Sequence, residues 1–322
     1  MSLAAAGLPV AARAQPSPSR ALAGAGATFP APLYERWAAA AREEGRTPLA
    51  YLPCGSGEGL ARLASGTVDF AASDRPVEPD ELARRGWQQF PVVAAGAVPV
   101  VNLAGIASNR LRLDAAVLAG LFLGRITRWD DPALAALNPG LALPSARVTV
   151  MHRADASGTA WLLTHWLSQT SPAWRSAVGE GLQVAWPVGE AAFGNDGIAS
   201  YVQRTRASIG VVEYAYARRH GLSIARLRNR AGSFVEAGLP SFEAAVAAAG
   251  DDLQRALTDL DGEGTWPLTG ASFVVVRRTA PRYDEVVGFF DRALRMHGRD
   301  AIDLDYVPLP PPAGTAPATP RQ

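Results

Sequence analysis

The densest group of anion-binding side chains is the segment Arg153-Ala154-Asp155-Ala156-Ser157-Gly158-Thr159. The β-branched, alternating stretch Ala146-Arg147-Val148-Thr149-Val150-Met151 before it predicts a strand. Ala160-Trp161-Leu162-Leu163-Thr164-His165-Trp166-Leu167 after it predicts a helix. The loop therefore sits at a helix start, where free backbone N–H groups attract anions and hydroxyls add donors. An Arg at the strand end can clamp a tetrahedral oxyanion with two parallel hydrogen bonds. The same residues also fit an ordinary capped helix with a surface Arg–Asp pair.

The chain repeats the device. Gly24-Ala25-Gly26-Ala27-Thr28-Phe29-Pro30 leads into a helix with proline near its first turn, where proline is tolerated. Cys54-Gly55-Ser56-Gly57-Glu58-Gly59 leads into Leu60-Ala61-Arg62-Leu63-Ala64. Between the second and third loops, Val68-Asp69-Phe70-Ala71-Ala72-Ser73-Asp74 reads as a short strand ending in Ser-Asp.

Composition excludes several chemistries. The formal net charge is +1, so no broad basic field points to nucleic acid or an acidic membrane. The sequence contains no lysine, which argues against a P-loop nucleotide site and against Schiff-base catalysis. The single cysteine, Cys54, cannot form an intrachain disulfide and reads as a small buried hydrophobe. His220 and His297 lack metal-ligand spacing, so no metal and no cofactor is expected. A Ser157–His152 or Ser157–His165 nucleophile pair is conceivable, but nothing marks a third member.

These segments, taken in order, resemble the phosphate-binding protein family of the bacterial phosphate ABC transporter. The resemblance extends through Trp129-Asp130-Asp131, Leu137-Asn138-Pro139-Gly140, Gly194-Asn195-Asp196-Gly197-Ile198-Ala199, Ile209-Gly210-Val211-Val212-Glu213-Tyr214-Ala215-Tyr216-Ala217 and Asp303-Leu304-Asp305-Tyr306. It covers the chain from about Leu22 to about Leu309. It implies phosphate ligands at Thr28, Phe29 (through its amide), Ser56, Asp74, Arg153, Ser157, Gly158 and Thr159, with Asp155 holding the Arg153 guanidinium. It also implies a non-catalytic monomer that hands inorganic phosphate to the membrane subunits of an ABC permease. A sensor or scavenger without a permease, and a phosphoesterase, are the alternatives.

Asp74 carries the expected selectivity. Phosphate near neutral pH keeps at least one proton, and an ionised carboxylate only accepts hydrogen bonds. Sulfate brings no proton and would meet repulsion. Several positions depart from the family pattern. Gly57 stands for a serine, Glu58 for a glycine, Ala156 for a glycine, Arg75 for a small residue and Phe193 for a basic one. A carboxylate at Glu58 repels the ligand unless it points outward. Ala156 is strained if that position needs positive φ.

The strand–helix alternation predicts an α/β architecture of two lobes, and the resemblance implies that it is the two-lobed type II periplasmic binding-protein fold. Each lobe is a mostly parallel sheet flanked by helices, with the ligand in the cleft between them. The boundaries are a leader at 1–20, lobe I at 21–95 and 263–307, lobe II at 96–262, and a Pro-rich tail at 308–322. Helices are expected over Leu33–Glu44, Glu58–Ala64, Glu78–Arg85, Phe242–Ala249, Asp252–Leu257 and Tyr283–Met296. Phe90–Leu103 is expected as more than one crossing strand, and Gly194-Asn195-Asp196-Gly197 as a turn. Ala12-Arg13-Ala14 fits signal peptidase cleavage before Gln15, with Met1 read as a late start. No cysteine lies near that site, so the expectation is an exported periplasmic protein without a lipid anchor.

Overall fold

The computed structural model describes residues 20–310. The cleavage motif before Gln15 and the tail from 311 onward lie outside the described residues.

Small residues let the first strands pack closely. Leu22–Gly26 (β1) leads to Ala31–Glu43 (α1), and Leu49–Pro53 (β2) to Ser56–Ser65 (α2). Phe70–Ser73 (β3) follows, then Pro79–Arg85 (α3) and Trp87–Asn102 (β4). Gly24 faces the Phe70 ring so closely that a Cβ there would lie 2.0 Å from it. Strands too small to fill their own face thus borrow an aromatic from their neighbour.

One long sheet links both lobes in the order β2, β1, β3, Thr269–Arg277, β4, Ser208–Glu213, Thr149–Arg153, Glu190–Ala192. The strands toward each edge are parallel: β1 with β2 and β3 on one side, and Thr149–Arg153 with both its neighbours on the other. The centre is antiparallel. The expectation of mostly parallel lobes therefore holds toward the edges only, and the whole sheet is mixed. The cause is connectivity. The chain leaves the first lobe on β4 and returns on Thr269–Arg277, so these neighbours run in opposite directions.

The expected set of crossing strands at Phe90–Leu103 is a single strand. Its first half pairs with Thr269–Arg277 and its second half with Ser208–Glu213. Ser272 pairs with Val93 and Phe273 with Pro91, so a bulge takes up the extra residue beside the proline.

Four further expectations are corrected. Gly194-Asn195-Asp196-Gly197 is not a separate turn but the first turn of the helix Gly194–Arg204, with Gly194 at φ +68° and Asp196 favourable at the positive helix end. Residues 252–257 form turns rather than a helix, after Gly250 at φ +63° ends Leu239–Ala249. The last helix runs past Met296 to Asp303, with a break at His297, whose carbonyl accepts the Trp37 indole N–H at 3.2 Å. Finally, residues 308 and 309 are not part of a loose tail. Val307–Pro308 pairs with β4, and the buried Leu309 donates its N–H to the Val92 carbonyl.

Candidate functional site

Thr28 and Phe29 follow β1 at the start of α1. Gly26, at φ +141°, lets β1 pass so near β3 that a Cβ there would lie 2.1 Å from the Ala72 carbonyl oxygen. The loop carbonyls are held from elsewhere: Tyr216 Oη donates to Thr28 O and Tyr306 Oη to Phe29 O, each at 2.7 Å. Ser56 opens α2 after Gly55, which sits at φ +96°. Its Oγ accepts the Asp74 N–H at 3.3 Å.

Asp74 ends β3 and is 2 % exposed. Ser272 Oγ donates to its Oδ1 at 2.9 Å. Burial pushes the Asp74 carboxyl up to about 7, against the lowering effect of the Ser272 hydroxyl and the Arg153 charge. The sequence reading took this group as simply ionised; burial instead brings its proton exchange to neutral pH.

Arg153 ends its strand and is 4 % exposed. Its Nε donates to Asp155 Oδ1 at 2.8 Å, and Nη2 reaches Asp155 Oδ2 and, at 3.4 Å, Thr28 Oγ1. Its Nη1 is buried without a hydrogen-bond partner. For Asp155, burial alone would raise the carboxyl; the Arg153 bonds and charge and the Gly194 amide outweigh it and hold it below the usual range. Ser157 caps the helix Gly158–Thr170, accepting the Ala160 N–H at 3.1 Å.

The two lobes meet here. A Cβ on Gly158 would lie 2.4 Å from Asp74 Oδ2 and 2.7 Å from Ser56 Oγ. Thr28, Ser56 and Asp74 from one lobe thus face Arg153, Ser157, Gly158 and Thr159 from the other. Side chains at these positions are all buried. The arrangement offers hydroxyls, helix-start amides and one guanidinium, with a single carboxyl among them: a cage for a tetrahedral oxyanion.

Five contributors escaped the sequence reading. Asn195 donates to Thr28 Oγ1 at 2.9 Å and accepts the Glu213 N–H at 3.0 Å. Ser272 anchors Asp74, while Tyr216 and Tyr306 anchor the first loop. Glu213 is fully buried; burial pushes it up to about 8, although the Ala215 N–H donates to Oε1 and Tyr306 Oη lies 3.1 Å from Oε2. A lone Ser inside the apolar run Ala271-Ser272-Phe273 and the Asn of Gly194-Asn195-Asp196-Gly197 were the available signals.

The departures from the family pattern resolve locally. Glu58 points outward and pairs with Arg62 at 2.8 Å. Ala156 has no positive φ. A Cβ on Gly57 would lie 2.5 Å from Ala156 Cβ, so the missing serine at 57 and the added methyl at 156 share one space. The positive charge acting on Asp74 is that of Arg153 rather than Arg75. Phe193 is exposed. Cys54 is half-buried rather than buried, and burial raises its thiol, which disfavours the reactive thiolate.

No histidine addresses Ser157. His152 Nδ1 lies 3.3 Å from Arg153 O, and His165 Nδ1 lies 2.7 Å from Glu180. Among the described residues there is no cluster of His, Cys, Asp and Glu able to hold a metal ion, and no helix long and apolar enough to cross a membrane.

The PBP superfamily domain matches residues 11–291. The phosphate-binding protein PstS of Pasteurella multocida is 42% identical over 299 residues, covering 91% of this chain and 87% of its own. PstS of Haemophilus influenzae is also 42% identical, over 91% of this chain and 90% of its own. The chain belongs to the PstS family. A solved structure agrees on the fold: a substrate-binding protein of a phosphate ABC transporter from Clostridium perfringens, with bound phosphate, superposes with a TM-score of 0.66 at 16% identity, covering 90% of this chain and 100% of its own. The PstS architecture is the two-lobed one, and the four loop segments meet at its cleft.

Proposed function

We propose that this protein binds inorganic phosphate between its lobes and delivers it, from the periplasm, to the membrane subunits of an ABC permease. The observation that carries the reading is Arg153. Its guanidinium is buried, its Asp155 partner covers two nitrogens, and Nη1 is left without a protein acceptor. A buried cationic donor of this kind is costly unless an anion meets it. Thr28, the amide of Phe29, Ser56, Ser157, Gly158 and Thr159 supply the remaining donors, and Asp74 takes the ligand's proton. The relatives named PstS and the phosphate held by the Clostridium perfringens protein support the same ligand.

The protein acts by binding and not by turnover. Ser157 Oγ accepts the Ala160 N–H as a helix cap, which leaves its proton for the ligand, and neither His152 nor His165 bonds to it as a base would. In this reading the lobes comprise 21–95 with 263–307, and 96–262, and β4 carries the hinge.

Titration calorimetry of refolded, phosphate-stripped protein tests this. Phosphate binds tightly and sulfate negligibly at pH 8; equal affinities sink the reading. Arg153→Ala lowers phosphate affinity by at least about 100-fold, as expected for a buried charge-assisted pair. Asp74→Asn lowers it less than it relaxes selectivity.

A further inference from the structure

Each hydroxyl in the cleft receives an N–H from a group that can only donate. Ser56 Oγ accepts from the Asp74 amide and Ser157 Oγ from the Ala160 amide. Thr159 Oγ1 accepts from Asn195 Nδ2 at 3.4 Å. Thr28 Oγ1 accepts twice, from Asn195 Nδ2 at 2.9 Å and from Arg153 Nη2 at 3.4 Å. A hydroxyl has one proton and two lone pairs. With both lone pairs taken, Thr28 can only donate.

The Asn195 amide is itself fixed. Its Oδ1 accepts the Glu213 backbone N–H at 3.0 Å, and a backbone amide offers no alternative role. The reverse orientation would set the Asn195 NH2 against that N–H. Nδ2 must therefore face the two threonines, one from each lobe.

We propose that Asn195 is a positioning residue that sets proton direction at the two threonines: it locks Thr28 as a donor, and biases Thr159 the same way, so that neither competes with Asp74 for the ligand's proton. The inference rests on the phosphate reading above. It makes selectivity a property of the whole cage. Were the Thr28 hydroxyl free to turn, it could accept from the ligand as well, and the site would no longer register one proton at one place.

Removing the amide leaves Thr28 free to reorient, and a hydroxyl that must be ordered on binding costs affinity. A double-mutant cycle isolates the effect. Phosphate affinity is measured by calorimetry for wild type, Asn195→Ala, Thr28→Val and the double variant, with ligand-free melting recorded for each. Asn195→Ala alone weakens phosphate by about tenfold, the worth of one hydrogen bond. In the Thr28→Val background the same change costs threefold or less, about the residue left to Thr159. If the two losses instead multiply, Asn195 acts only through packing or through the Glu213 amide, and the inference falls while phosphate binding stands. If wild type binds no phosphate, both readings fall together.

Asn195→Ala exposes the Glu213 N–H to loss of its partner, and the variant could fail to fold. Asn195→Asp is isosteric and keeps that acceptor. Its carboxylate accepts from Thr28 and draws the hydroxyl proton away from the cleft. Phosphate affinity then falls by about 100-fold or more at pH 8, and Thr28→Val recovers at least about threefold of it, because repulsion persists in that background but hydroxyl reversal does not. No recovery overturns the proposal.

Discussion

Gly158 and Asp74 close the cleft on each other: a side-chain carbon on the first would lie 2.4 Å from Oδ2 of the second. They come from different lobes, 84 positions apart in a chain whose middle is built on one continuous strand. Gly158 does not have positive φ, so its backbone tolerates alanine. What alanine prevents is approach.

Gly158→Ala therefore leaves the ligand-free melting temperature close to wild type while phosphate affinity falls by at least about tenfold, the scale of overpacking at a tight contact. Calorimetry and a thermal scan of the same sample check both halves. Unchanged affinity would mean that the lobes do not need to meet this closely to bind.

Gly57 and Ala156 form a second interlobe pair, joined by the Gly57 N–H to Ala156 O bond at 3.0 Å. Gly57→Ser restores the residue common in the family yet places its Cβ 2.5 Å from the Ala156 methyl. The single variant binds phosphate more weakly than wild type. Gly57→Ser with Ala156→Gly recovers affinity to within about threefold of wild type, because the clash is removed with the methyl. Additive losses in the cycle would show that the two positions do not share space.

On the proposed role of Asp74, selectivity is expected to depend on pH. Burial pushes its carboxyl up to about 7. Above that, the carboxylate rejects an unprotonated anion; below it, the protonated acid can donate to one. Arg153 and Ser272 are the groups that oppose this rise. Sulfate affinity relative to phosphate accordingly increases as pH falls from 8 to 6, and Asp74→Asn flattens the trend. Competition titrations at several pH values read the ratio directly.

Stability depends on pH through Glu213 and Asp74 together. Both carboxyls are raised by burial, to about 8 and about 7, so the folded chain holds protons that the unfolded chain has released. Their contribution is full below the ordinary carboxylate pKa of about 4. It is lost as pH rises through 7 to 8. Asp155, held low, acts oppositely, losing its contribution only in acid. The ligand-free melting temperature drops by a few degrees between pH 5.5 and pH 8.5. Glu213→Gln removes the larger share of that slope. A melting temperature that rises over the interval in wild type would contradict the buried, proton-holding state of both groups.

Local chemistry made much of this protein legible in its sequence. Small residues and hydroxyls before apolar helical runs mark helix starts, and a helix start is an anion site wherever it occurs. The segments that hold Thr28, Ser56, Arg153 and Ser157 could be picked out because their own neighbours dictate their geometry, and the family resemblance named the residues within them. Tertiary structure decided what those segments do to one another. Strand register places Phe273 opposite Ser73, and so brings Ser272 to Asp74 across 198 positions. The helix Gly194–Arg204 turns Asn195 toward Thr28, and the last strand segment brings Tyr306 to Phe29. The mixed centre of the sheet likewise follows from where the chain returns. Hydrogen-bond direction and proton affinity depend on burial and on distant partners, which spacing along the chain does not encode.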